Sequence, residues 1–187
     1  ACTWVAQYRG RVHAFKVGAG LVLRYGLAGL EPLRTQGAER LFLDMKFHDI
    51  PHAVGLAIRQ ASQFGVWMMT VHASGGEAML RASVEAVQSL SPRPLIMGVT
   101  VLTSMDAESL KAVGVPRSPR AQVLRLARLA YECGLDGVIA SPHEAQLLRR
   151  HFPPPFLIVT PGVRPAGTSA PDDQRRVATP EQALQWG

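Results

Sequence analysis

Apolar residues along this chain come as short unbroken runs, separated by longer stretches in which they recur every three or four positions. The runs occupy residues 12–18, 40–47, 66–73, 94–102, 135–140 and 155–160, and each is apolar on both faces, as strands buried in a parallel sheet are. Residues 21–36, 53–64, 77–90, 119–133 and 142–150 carry the period of amphipathic helices, and Gly37, Gly65 and Gly134 stand where three of these helices should stop. Six successive strand–helix units predict parallel strands joined by right-handed crossovers. No G-x-G-x-x-G follows a strand, and polar residues gather at nearly every strand's C-terminal end, so a (β/α)8 barrel of the TIM type is preferred to an open sheet.

Composition narrows the class. The chain has 187 residues, 47% hydrophobic and 18% charged, with 17 Gly and 14 Pro, which excludes collagen, coiled coil and disorder. No composition break divides it, so residues 1–187 read as one barrel domain, shorter than the ~250 residues such barrels usually take. No apolar run approaches the ~20 residues a bilayer span needs, and the start has no basic-then-apolar signal pattern; the expectation is a cytoplasmic protein without a membrane partner. Cys2 and Cys133 have neither metal-ligand spacing nor the density of a disulfide scaffold, and read as ordinary thiols. The net charge of +6 comes mainly from arginine, with Lys16, Lys46 and Lys111 the only lysines. The arginines are scattered, without the aromatic interleaving that stacks bases, so a small phosphorylated anion is expected as ligand rather than nucleic acid.

The densest chemistry is Leu43-Asp44-Met45-Lys46-Phe47-His48-Asp49-Ile50-Pro51, ending the second strand. Asp44 and Lys46 are two apart, so a regular strand points both to one side and leaves Leu43 and Met45 for the helices. A carboxylate and an ammonium buried together are costly unless they pair and serve a function. The plainer reading is a structural ion pair with Asp49 capping the next helix. Lysine favours the functional one, because a tuned ammonium gives up a proton near neutral pH and a guanidinium does not. His48 and His52 lie four apart, but Pro51 interrupts and no third ligand is evident, so no metal site is expected.

Asp44-Met45-Lys46-Phe47-His48-Asp49-Ile50-Pro51 resembles the signature of the bacterial orotidine 5′-phosphate decarboxylase family. Four further segments match in order: Val71-His72-Ala73-Ser74-Gly75-Gly76, Val99-Thr100-Val101-Leu102-Thr103-Ser104-Met105, Gly134-Leu135-Asp136-Gly137-Val138, and Thr160-Pro161-Gly162-Val163-Arg164-Pro165 with Asp173-Gln174-Arg175-Arg176-Val177. The resemblance implies a cofactor-independent carboxy-lyase of pyrimidine biosynthesis that converts orotidine 5′-phosphate to uridine 5′-phosphate and carbon dioxide. It implies a Lys16-Asp44-Lys46-Asp49 charge network, with Lys46 protonating carbon 6, Asp44 beside the departing carboxylate and Lys16 touching ribose. Asp49 would be delivered into the partner subunit's site of a homodimer. Thr103 matches a residue that contacts the pyrimidine, and Arg164 and Gln174 match positions that reach the phosphate.

Two departures stand out. His52-Ala53 replaces the family's Asn-Thr, removing a hydroxyl beside Asp49. The family's first and last strands, with a ribose-binding Asp and a phosphate-binding Arg, have no counterpart, so the expectation is a barrel whose chain extends at both termini. The alternatives are a magnesium-dependent sugar-phosphate decarboxylase or aldolase of the same superfamily, and a non-catalytic truncated barrel.

Overall fold

A computed structural model of the chain describes residues 1–165 and 178–186. The chain divides into two compact units, one made of Ala1–Val71 and Ala78–Ile96, the other of His72–Glu77 and Met97–Gly187. All six expected strands are present, each shorter than its apolar run because the flanking residues bend into loops.

The first unit contains α1 (Cys2–Tyr8), β1 (Phe15–Gly18), α2 (Ala19–Tyr25), α3 (Glu31–Thr35), β2 (Leu41–Phe47) and α4 (Pro51–Ser62). It also holds most of β3 (Met68–His72) and of α5 (Glu77–Glu85), and the opening of β4 (Leu95–Val99). β1 lies parallel beside β2, with Gly18 opposite Asp44, and β2 lies parallel beside β3, with Phe42 opposite Met68. The Leu95 N–H donates to the Trp67 carbonyl at 2.9 Å, which starts β4 alongside β3. Leu41 and Leu43 on β2, with Val54, Ile58 and Ala61 on α4, are almost wholly buried. Their spacing places one helix face in the core, and each large apolar side chain so buried contributes about 1.5–3 kcal/mol. Pro51 opens α4, where a missing N–H costs nothing.

The helix expected over residues 21–36 is two helices, and this is a correction. α2 stops at Tyr25, Gly26 takes φ +66°, a single 3-10 turn spans Leu27–Leu30, and α3 restarts with Pro32 in its first turn. The apolar period runs through the break, but a left-handed backbone at Gly26 and a proline without an N–H cannot continue one hydrogen-bond ladder. The helix expected over 77–90 likewise ends early, at Glu85.

The second unit holds the end of β4, then α6 (Ala107–Ala112), α7 (Pro119–Glu132), β5 (Gly137–Ile139), α8 (Pro142–His151), β6 (Leu157–Val159) and α9 (Pro180–Gln185). β4, β5 and β6 are parallel neighbours, with Gly137 opposite both Met97 and Leu157. A Cβ at Gly137 would collide with the Leu157 carbonyl and the Met97 side chain, so only glycine lets these backbones approach. Ser118 and Ser141 cap α7 and α8, each hydroxyl accepting a backbone N–H at 3.3 Å ahead of a proline. α1, α6 and α9 are six or seven residues long and were not expected: two turns or fewer do not establish a helical period.

Candidate active site

β1 and β2 end side by side, and their register sets Lys16 beside Phe42 and Gly18 beside Asp44. From these ends three of the expected residues converge. Lys16 Nζ lies 3.1 Å from Asp44 Oδ2, and Lys46 Nζ lies 2.8 Å from the same oxygen. The Asp44 side chain is 11% exposed, against 56% for Lys16 and 37% for Lys46, so the carboxylate is enclosed while both ammoniums keep contact with solvent. Burial pushes the Asp44 carboxyl up, but the hydrogen bonds from Lys46 and Lys16 and the two positive charges outweigh it and hold the group below its ordinary value. Asp44 is therefore ionised at neutral pH. The three groups together carry one net positive charge.

Lys46 reaches Asp44 by a route the period-two argument does not contain. In a regular strand, side chains two residues apart leave the backbone about 7 Å from one another. Here the pairing of β2 with β3 shifts between Leu43 and Phe47, and Lys46 has φ +50°. A left-handed conformation at a residue with a side chain costs roughly 1–3 kcal/mol and persists only where its surroundings hold it. Thr70 on β3, fully buried, bonds to both residues: its Oγ1 accepts the Lys46 backbone N–H at 2.9 Å and donates to Asp44 Oδ1 at 3.0 Å. The sequence reading missed Thr70. The available signal was a hydroxyl inside the otherwise apolar run Met68-Met69-Thr70-Val71, since a buried hydroxyl requires a partner.

Asp49 stands apart from this cluster, exposed on the loop after β2, its Oδ1 accepting the Ile50 N–H at 2.6 Å. The reading of Asp49 as a helix cap is corrected: the cap position of α4 is Ile50, with no side-chain cap. Thr103 and Arg164 belong to the second unit. Thr103 is buried in the loop after β4. Arg164 is half-buried after β6, where its N–H donates to the Ala178 carbonyl at 2.9 Å. Gln174 lies outside the described residues. Among the described residues, no group of three or more His, Cys, Asp or Glu side chains is placed to hold a metal ion, and no helix is long and apolar enough to cross a membrane.

A family model described as orotidine 5′-phosphate decarboxylase / HUMPS family matches residues 1–187. The chain is 50% identical over 187 residues to the orotidine 5′-phosphate decarboxylase of Dichelobacter nodosus, covering all of this chain and 81% of that protein. It is 50% identical over 173 residues to the enzyme of the same name from Pseudomonas savastanoi, covering 92% and 73% of the two chains. Among solved structures, the orotidine 5′-phosphate decarboxylase of Lactobacillus acidophilus superposes with a TM-score of 0.79 at 34% identity, covering 92% of this chain and 73% of that one. The fold is of the α/β TIM-barrel class expected from the strand–helix alternation. With the paired lysines and the enclosed aspartate at the end of β2, these matches agree with the motif resemblance, and the chain belongs to the orotidine 5′-phosphate decarboxylase / HUMPS family.

Proposed function

We infer that this chain decarboxylates orotidine 5′-phosphate to uridine 5′-phosphate and carbon dioxide in pyrimidine biosynthesis, with Lys46 as the acid. The observation that carries the reading is the shared Asp44 Oδ2, held between two ammoniums at 2.8 and 3.1 Å. In the reaction the bond from carbon 6 to the carboxylate breaks, carbon dioxide departs, and the electron pair left on carbon 6 takes a proton from the Lys46 ammonium. A proton donor at that position contributes ~10²–10⁴-fold on general grounds. Asp44 keeps Lys46 positioned and sets the charge around the departing carboxylate, an effect that counts only where charge changes along the reaction. The net positive charge of the cluster suits an anionic substrate.

The remaining roles rest on the motif matches. Lys16 touches ribose, Thr103 contacts the pyrimidine, and Arg164 and Gln174 bind phosphate. Asp49, exposed on its loop, serves the ribose in the partner subunit's site of a two-fold dimer. The direct test is the loss of orotidine 5′-phosphate absorbance on addition of the purified chain, with and without a chelator. Turnover that survives the chelator is expected. Turnover lost to it and restored by magnesium overturns the cofactor-independent reading in favour of the magnesium-dependent alternative, and no turnover at all overturns the enzyme.

A further inference from the structure

We propose that Thr70 is a positioning residue of this site, fixing through one hydroxyl both the rotamer of the Asp44 carboxylate and the left-handed backbone of Lys46. The inference rests on the role assigned above to the Asp44–Lys46 pair. A threonine hydroxyl has one proton and two lone pairs. The proton goes to Asp44 Oδ1 at 3.0 Å, and a lone pair takes the Lys46 N–H at 2.9 Å. The other carboxylate oxygen of Asp44 is thereby left to face Lys46 and Lys16. Thr70 is fully buried, and its β-branched side chain is stiff about χ1, so the hydroxyl is a fixed point supplied by the neighbouring strand.

The two bonds belong together. Lys46 is the one non-glycine residue with positive φ among those described, and it is the residue assigned to move the proton. Without an acceptor for its N–H, the β2 backbone would relax toward regular strand geometry and carry the Lys46 ammonium with it. Without the donor to Oδ1, the Asp44 carboxylate would be free to rotate. A residue that only filled the core would need neither bond, and valine would replace it.

The test compares Thr70→Val, Thr70→Ala and Thr70→Ser with the wild-type chain and with Lys46→Ala, reading kcat and KM for orotidine 5′-phosphate and the affinity for uridine 5′-phosphate. Thr70→Val is expected to lose about 10–100-fold in kcat, the range a small misplacement of reacting groups costs. KM and product affinity should stay within about threefold of wild type, since the hydroxyl is engaged by Asp44 and by the Lys46 backbone. Thr70→Ser should recover kcat to within about fivefold of wild type, because it restores the hydroxyl and not the methyl. If Thr70→Val fails to fold, the Ala and Ser variants, which differ by the hydroxyl alone, decide in the same way. A folded hydroxyl-free variant with kcat within twofold of wild type overturns the proposal, as does a loss shared equally by kcat and KM or a Ser variant as slow as Ala. Where wild type turns over and Lys46→Ala does not, such a result removes Thr70 alone. A wild type without turnover removes the assigned reaction, and a fully active Lys46→Ala removes the role assigned to Lys46; either removes the proposal with it.

Discussion

The two ends of the first unit's strands make opposite use of charge. At the carboxyl ends, Lys16, Asp44, Lys46 and Thr70 close on one carboxylate, which receives three hydrogen bonds at 2.8–3.1 Å. At the amino ends lies a cleft of about 480 Å³, lined in part by Glu39, Arg40, Arg59, Trp67 and Arg93. It has no shortage of cations, yet Arg40 lies over the Trp67 ring at 5.8 Å and beside His13, a stacked arrangement that suits packing. The proposed chemistry lies instead where dissimilar polar groups converge, at the strand ends from which barrel enzymes project their working residues.

The comparison breaks most sharply under substitution of one cation at each end. Lys46→Ala should lower turnover by at least ~10²–10⁴-fold, with a thermal midpoint within a few degrees of wild type, whereas Arg59→Ala, at the cleft, should stay within about twofold. Steady-state decarboxylation assays and thermal unfolding check both. Comparable losses from the two substitutions would show that the ends are not functionally distinct.

Asp44→Asn comes next. It removes the charge that both ammoniums share, and turnover should fall ~10²–10³-fold while affinity for uridine 5′-phosphate, which lacks the carboxylate, changes far less. Calorimetric titration beside kinetics reads the difference, and equal losses would contradict a role tied to the departing carboxylate.

Mixing inactive Lys46→Ala with inactive Asp49→Ala should restore about a quarter of wild-type turnover. Half of a randomly exchanged dimer population is hybrid, and each hybrid holds one intact site if Asp49 crosses to the partner. No recovery after verified subunit exchange would place Asp49 outside a shared site.

The smallest effect concerns acid. Asp44 titrates below its ordinary value of 3.8 in the folded chain, so its ion pairs contribute stability in full above that value and lose it as pH falls through the lower folded value. The difference in thermal midpoint between wild type and Asp44→Asn should therefore shrink as pH drops below about 3.8 and stay constant above it. A difference that grew on acidification would reverse the assigned direction of the shift.

Much of this was legible without coordinates. The continuous apolar runs named six parallel strands because a strand covered on both faces has no polar side to show. Asp44 and Lys46 were legible as a pair because so few arrangements tolerate both ions inside an apolar segment, and Lys16 through its place in the family's charge network. What the chain order could not display was anything set by a neighbour distant in sequence. The helix at 21–36 looked continuous because periodicity reports burial and not backbone handedness, and Gly26 turns left without disturbing the apolar pattern. Thr70 is 26 residues from Asp44 and reads, on its own strand, as one more β-branched residue. Its function exists only because parallel pairing lays β3 against the irregular end of β2, where Lys46 needs an acceptor for its N–H and Asp44 needs a donor for its second oxygen. Local residue types thus determined which elements form and which groups carry charge, while the geometry that makes those groups a site was decided by strand register, a property of pairs of segments that neither segment encodes alone.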